Sequence, residues 1–271
     1  MAMFDFRQTG LLVILMAFGI SSPTMAISDL ERTWVHARVA MAGEKSGKTH
    51  YFQLDSREGG LRLGDYQGLK RPIVVYLHGC TGFSGRDKKA IRKIAAAGFI
   101  VVAPDSMARR YRPRQCSSRQ QKGGNNHFVF DFRQAEINFA LDNLWEKPWV
   151  DWDNMFLMGV SEGGLATAHY RGVYFRARII TQWTCHGDPL VRGISAKADE
   201  PILAVVQAED PWYNGAGSKQ SGDCGAFFEN RPGSRSVVLR DGKEHNVMAN
   251  PEIIGQIIDF LKENIRTKGA N

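Results

Sequence analysis

The hexapeptide Gly159-Val160-Ser161-Glu162-Gly163-Gly164 stands between the apolar run Met155 to Met158 and a helical stretch from Leu165 to Tyr170. A strand that enters a helix through so short a turn must hold its apex residue in a strained backbone geometry. Small residues are needed on either side so that strand and helix approach without clashing Cβ atoms. A serine at that apex projects its hydroxyl above the sheet, which makes Ser161 a candidate nucleophile.

Such a nucleophile needs donors for the oxyanion it creates, and a base. Pro72 to Leu77 is a continuous apolar, β-branched run ending in His78-Gly79-Cys80-Thr81-Gly82. A strand followed by His-Gly and small residues offers one backbone N–H, from Cys80 or Thr81, and the residue after the nucleophile, Glu162, offers the other. Base and acid should follow in the chain order serine, acid, histidine. Pro201 to Val206 reads as a buried strand that delivers Glu209 and Asp210 at its C-terminal end, and the strand Ser236 to Leu239 precedes Glu244-His245-Asn246. His245 is the expected base and Asp210 the expected acid. Because neighbours along an extended chain point opposite ways, only one of Glu209 and Asp210 can face His245. Asp188, beyond the strand Ile179 to Thr184, is a further rival. Among the other histidines, His78 reads as a structural turn residue and His169 as part of the helix after Ser161. His36, His50, His127 and His186 lack a comparable strand-end setting.

The remaining pattern fits an α/β fold, a mostly parallel central sheet with helices on both faces. Extended segments are expected at Thr49 to Leu54 and Gly60 to Leu63, and strands at Ile73, Phe99 to Ala103, Ile179, Ile202 and Val237. Helices are expected near Asp87 to Ala97, from about Phe128 through Ala135 to Trp145, and from Pro251 to Ile265. A length of 271 residues with 43% hydrophobic content suits one large domain and excludes a disordered or fibrous chain. Residues 1–26 differ in kind. Arg7 precedes the short apolar run Leu11 to Ile20, and Ser21 to Ala26 supplies small residues for a signal peptidase. We read 1–26 as a cleaved secretory signal and 27–271 as the catalytic domain, exported to the periplasm or the medium with no stable membrane anchor after cleavage.

In an oxidising compartment Cys80, Cys116, Cys185 and Cys224 can form two disulfides in three connectivities. The pairs Cys80 with Cys116 and Cys185 with Cys224 are favoured, since each joins loops expected at the same C-terminal edge of adjacent strands; four free thiols are the alternative. The formal net charge of +7 is concentrated at Arg109, Arg110, Arg112, Arg114, Arg119 and Lys122. An arginine there, Arg109 foremost, is a candidate clamp for an anionic substrate group, and a solvated basic loop is the competing reading. Trp183 and Trp212, beside two strand ends, are candidates for lining an apolar acyl pocket or for packing beneath the loops. One basic loop without a recognition motif does not support nucleic-acid binding. No metal or organic cofactor is called for, because neither H-E-x-x-H nor paired C-x-x-C occurs.

Taken together, these residues resemble an α/β hydrolase of the dienelactone hydrolase family, in its exported branch, over nearly the whole chain after residue 26. The resemblance rests on His78-Gly79-Cys80-Thr81-Gly82, on Pro104-Asp105-Ser106 with the arginine-rich loop and Cys116, on Arg133, on Met158 through Gly164, on Glu209-Asp210-Pro211-Trp212, and on His245. The founding enzymes of that family carry cysteine where this chain has Ser161. The resemblance implies the α/β-hydrolase fold and hydrolysis of a small-molecule carboxylic ester or lactone through an acyl-enzyme. A peptidase or acyltransferase on the same residues, and a non-catalytic binding protein, are the alternatives. Oligomeric state is not legible.

Overall fold

The structure, a computed structural model, describes residues 27–43, 47–64, 69–113, 115–117, 119–123, 127–145, 147–215 and 217–267. The expected signal segment and Arg114 of the basic cluster lie outside the described residues.

The chain begins with helix α1 (Asp29–Val35), capped by the Ser28 hydroxyl, and strands β1 (Arg38–Ala42) and β2 (Thr49–Gln53). A short helix α2 (Arg57–Gly59) follows and runs into a wide turn over Gly60–Gly64, where an extended segment was expected. Ser56 caps this turn by accepting the Gly59 N–H, and a side chain at Gly59 would collide with the Leu54 carbonyl, so the chain coils there instead of extending. Then come β3 (Arg71–Leu77), α3 (Gly85–Ala96), β4 (Ile100–Ala103), the small ribbon β5 (Cys116–Ser117) and β6 (Lys122–Gly123), and α4 (His127–Leu144). The C-terminal half supplies β7 (Val150–Val160), α5 (Glu162–His169), β8 (Ala177–Thr181), β9 (Ile202–Gln207), β10 (Arg235–Leu239) and α6 (Pro251–Glu263). Strand β8 stops at Thr181, short of the expected Thr184, because Gln182 turns to a positive φ of 58°.

Eight strands form one sheet in the order β10-β9-β8-β7-β3-β4-β1-β2, parallel from β10 to β4, with β1 antiparallel to both of its neighbours. The continuous apolar runs reflect burial on both faces. In β3, Val74 and Tyr76 pack with Ile91 and Ile94 of α3 and Ile257 and Phe260 of α6. Ile73, Val75 and Leu77 instead pack with Ile137, Leu141 and Leu144 of α4. Period-two alternation thus feeds two cores from one strand. Helix α3 starts through a reciprocal cap: Ser84 Oγ accepts the Asp87 N–H, Asp87 accepts the Ser84 N–H, and Tyr76 donates to the same carboxylate from beneath. Arg178, buried in β8, donates to the carbonyls of Thr167 and Tyr170 at the end of α5 and pairs with Glu200 at 2.5 Å.

The chain passes from β3 outward to β4, then returns to place β7 on the other side of β3. Adjacent strands that lead away in opposite directions open a crevice beyond their carboxyl ends. Leu77 is level with Gly159, so the loop His78 to Gly82 and the turn at Ser161 face each other across that crevice. No helix among the described residues is long and apolar enough to cross a membrane.

Candidate active site

Ser161 has φ 56° and ψ −113°, a conformation that costs a residue with a side chain roughly 1–3 kcal/mol. Its neighbours leave little choice. A Cβ on Gly159 would strike the Gly163 carbonyl, and one on Gly163 would strike the Leu77 carbonyl. The glycines of the hexapeptide are therefore demanded by the approach of α5 to β7 and β3. The Ser161 N–H donates to Thr181 at 2.8 Å, which pins the turn to β8. The hydroxyl stands at the head of α5, whose first-turn N–H groups point toward the crevice and favour negative charge.

Three sequence-expected side chains meet here. The Ser161 hydroxyl lies 2.9 Å from His245 Nε2, and His245 Nδ1 lies 2.6 Å from Asp210 Oδ2. Asp210 is buried, and its second oxygen accepts the Trp212 N–H at 3.0 Å, so the carboxylate is oriented from both ends. A carboxylate on Nδ1 leaves Nε2 free to accept the serine proton. Glu209 faces the other way: its carboxylate pairs with Lys243 at 3.3 Å, and both side chains are mostly in solvent. Asp188 is exposed in the segment after β8. Trp212 stacks on the His245 ring at 4.8 Å between centroids, and Tyr213 meets the same ring at 5.6 Å. Two aromatic faces thus restrict how the imidazole can turn.

His78 is fully buried and is occupied structurally, as its turn position suggested. Its Nδ1 donates to the Gly79 carbonyl at 2.7 Å, and its Nε2 accepts the Ser106 N–H at 3.0 Å. Burial, reinforced by nearby Arg133, holds this imidazole well below the ordinary histidine range, in keeping with the neutral form. His169 ends α5, with Nδ1 at 3.2 Å from the Ser195 hydroxyl.

A buried ionic network underlies the crevice; its arginine-rich loop, Arg133 and Glu162 stood out in the sequence, and Glu136 did not. Arg133 donates to the His78 carbonyl at 2.9 Å and to Glu136 at 3.1 Å, and its Nε lies 3.8 Å from Glu162. Arg112 reaches Glu162 at 2.5 Å and the Ser106 hydroxyl at 2.9 Å. Arg109, expected to contact substrate, is instead committed to Glu136 at 2.7 Å and lies over the Phe132 ring. The physical reason is Glu136: a buried carboxylate on α4 requires a charged partner, and Arg109 supplies one. Burial raises the Glu162 carboxyl while Arg133 and Arg112 pull it down. With three guanidinium groups to two carboxylates, the network leaves an excess of positive charge beneath the turn. An i, i+3 pair such as Arg133 and Glu136 can be seen in a helix pattern, but its long-range partners cannot.

Both disulfides form, Cys80 with Cys116 and Cys185 with Cys224. The first ties the loop after β3 to β5. The second ties the segment after β8 to the segment beyond Asp210. Cys80, Glu162 and Trp183 line a narrow cavity that opens at Ser161, whereas Thr81 and His245 line a wider one. Trp212 belongs to both. Tyr213 and Gln182 were not singled out in the sequence; the Tyr213 hydroxyl donates to the Gln182 carbonyl at 2.6 Å, and burial raises this phenol further.

No protein-family model and no curated protein matches the chain. Solved structures do. A hyperthermophilic esterase from the archaeon Pyrobaculum calidifontis superposes with a TM-score of 0.52 at 15% identity, over 87% of this chain and 88% of that one. The protein TT1662 from Thermus thermophilus gives 0.50 at 16% identity, over 74% and 91%. An acylaminoacyl peptidase from Pyrococcus horikoshii gives 0.50 at 15% identity over 76% of this chain, which spans 39% of the length of that enzyme. Identities this low speak to architecture, and the architecture agrees with the strand order, the crevice and the turn at Ser161: the chain has the α/β-hydrolase fold.

Proposed function

We propose that this protein is an exported serine hydrolase that cleaves carboxylic esters or lactones through an acyl-enzyme, with Ser161 as nucleophile, His245 as general base and acid, and Asp210 as its orienting carboxylate. The single observation that carries the reading is the unbroken relay from Asp210 through His245 to the Ser161 hydroxyl, at 2.6 and 2.9 Å. Ser161 Oγ attacks the carbonyl carbon as its proton passes to His245 Nε2. The tetrahedral oxyanion is received by the N–H of Glu162 and that of Cys80 or Thr81, with the positive excess of the arginine network behind them. The C–O bond to the alcohol then breaks as His245 returns the proton to the leaving oxygen. Water repeats the sequence on the acyl-serine. The resemblance to dienelactone hydrolases extends the reading from esters to lactones, and the disulfides together with the pattern of residues 1–26 support export.

A fluorophosphonate probe tests the nucleophile directly: peptide mapping should find the adduct on Ser161, alongside turnover of p-nitrophenyl acetate exceeding that of the matching anilide. An adduct with anilide turnover greater than ester turnover would move the chain to the peptidases. No adduct and no turnover would leave a binding protein.

The disulfides carry a separate expectation. Each closes a loop whose ends are 36 or 39 residues apart and contributes roughly 4 kcal/mol in the chain-entropy description. Because the Cys185–Cys224 bridge restrains the segment after Asp210, titration with a reductant should abolish esterase activity before the far-ultraviolet circular dichroism changes. Coincident loss of both signals would show that the bridge supports the whole sheet instead of the acid-bearing segment.

A further inference from the structure

Two chambers of unequal size and chemistry meet at Ser161, and only one of them contains His245. The narrower has a volume of about 50 Å³ and mostly apolar walls, formed by Leu165, Trp183, Val191, Tyr213 and the Cys80–Cys116 disulfide. The wider has about 380 Å³ and includes His245 with Thr81, Ser84, Gln121, Gln182 and Asn246 along its wall. We infer that the substrate is a short-chain acyl ester, an acetate above all, of a polyhydroxylated alcohol such as a sugar. This inference rests on the serine-hydrolase reading and names the substrate class of the same site.

The assignment of chambers follows from where the proton must go. His245 Nε2 delivers its proton to the leaving alcohol oxygen, so the alcohol occupies the chamber that His245 lines, and the acyl group occupies the other. The narrow chamber then limits acyl length. An apolar cavity of about 150 Å³ accepts benzene, and this one has a third of that volume. Its walls are poorly placed to yield. Trp183 is 4% exposed and packs edge-on against Tyr213 at 5.9 Å, and Tyr213 is itself 7% exposed and hydrogen-bonded to Gln182. About one or two carbons fit beyond the reacting carbonyl, and the five of a hexanoyl group do not.

The alcohol side is more polar. Its wall mixes Val160 and Trp212 with those hydroxyl and carboxamide groups, and Arg86, Asp87, Lys243 and Glu244 add charges of both signs. Gln182, on this wall and only 1% exposed, has a buried side-chain oxygen without a hydrogen-bond partner among the described residues, and Trp183 Nε1 on the wall of the narrow chamber is likewise unpartnered among them. An unpaired buried acceptor costs about 1–3 kcal/mol, and a turn of the Gln182 carboxamide toward the chamber would let a substrate hydroxyl remove that cost. Its backbone is fixed on both sides, by the Gln182 N–H to Val205 at 2.9 Å and by Tyr213 on its carbonyl. An alkyl alcohol gains little from such a wall, whereas a polyol meets several donors and acceptors at once. The net reaction is ester plus water giving free polyol and acetic acid, with the proton taken from Ser161 returned to it at the end of the cycle.

The test uses the purified protein on two substrate series, with fluorophosphonate labelling of Ser161 measured on the same preparation. Across p-nitrophenyl acetate, butanoate, hexanoate and octanoate, kcat/KM should be highest for acetate and at least about tenfold lower for hexanoate. Across acetates, a mono-O-acetyl methyl glucoside should exceed ethyl acetate by about tenfold or more. Leu165→Ala and Val191→Ala, two independent enlargements, should each shift the optimum toward butanoate or hexanoate. Gln182→Leu should lower the ratio of glucoside acetate to p-nitrophenyl acetate turnover by about tenfold. Labelling of Ser161 with hexanoate or octanoate preferred, or with a glucoside-to-ethyl ratio near unity, overturns the inference and leaves the serine-hydrolase reading standing. Absence of both labelling and ester turnover overturns the two together.

Discussion

Replacing Ser161 or His245 with alanine is expected to lower kcat on p-nitrophenyl acetate by roughly four to six orders of magnitude, with the circular dichroism spectrum unchanged, because members of such a relay act as one unit. Asp210→Asn should cost about four orders of magnitude, since an amide at Oδ2 favours the wrong tautomer of His245. The adjacent carboxylate is the control. Glu209 is 65% exposed and paired with Lys243 on the surface, so Glu209→Gln should change kcat by less than about twofold. Rates of the four variants at matched pH decide the assignment. A crippled Glu209→Gln with an active Asp210→Asn would exchange the roles of the two acids, and a fully active Ser161→Ala would end the hydrolase reading.

Arg133→Met should lower the free energy of unfolding by about 3–5 kcal/mol, as expected when one partner of a buried ion pair is deleted. Arg133 is fully buried, donates to Glu136 and to the His78 carbonyl, and lies beside Glu162. Its loss leaves Glu136 Oε2 and the His78 carbonyl without their donor in a dry interior, although Arg109 and Arg112 still pair with Glu136 Oε1 and Glu162. Urea titration measures the change. Arg235→Met, which breaks a pair with Glu263 in which both side chains are about half exposed, should shift the same titration by less than about 1 kcal/mol. Equal effects from the two substitutions would mean that water reaches the Arg133 site and that the network is not a dry foundation for the crevice.

Much of the site could be read from local chemistry. The glycines around Ser161 are set by the contact of α5 with β7 and β3, and that contact recurs wherever a strand turns abruptly into a helix over a parallel sheet. The strand ends that carry Cys80 and Asp210 showed themselves as apolar runs, because a parallel strand is buried on both faces, and the half-buried edge strand before His245 showed itself by its short run Val237 to Leu239. Edge elements were harder. Helix α1 and strand β1 were not anticipated, and Gly60 to Leu63 was expected to be extended, because short elements held by single caps and close backbone contacts carry too few residues to display a period. Tyr213 and Gln182 also passed unnoticed, since neither belongs to a motif; their hydrogen bond joins loops 31 residues apart.

The sequence by itself determined the layered α/β architecture, the strained turn at Ser161 and the order in which serine, acid and histidine leave their strands, all consequences of periodicity and of what backbone geometry each residue type tolerates. Tertiary structure alone removed Glu209 and Asp188 as rivals to Asp210, decided that Arg109 belongs to Glu136 and not to the crevice, and placed a narrow chamber and a wider, more polar one around one serine. These outcomes depend on where loops from distant strands come to rest against one another, and on which buried charge each arginine must neutralise. Such choices are made by packing and desolvation across long sequence separations, and no local pattern records them.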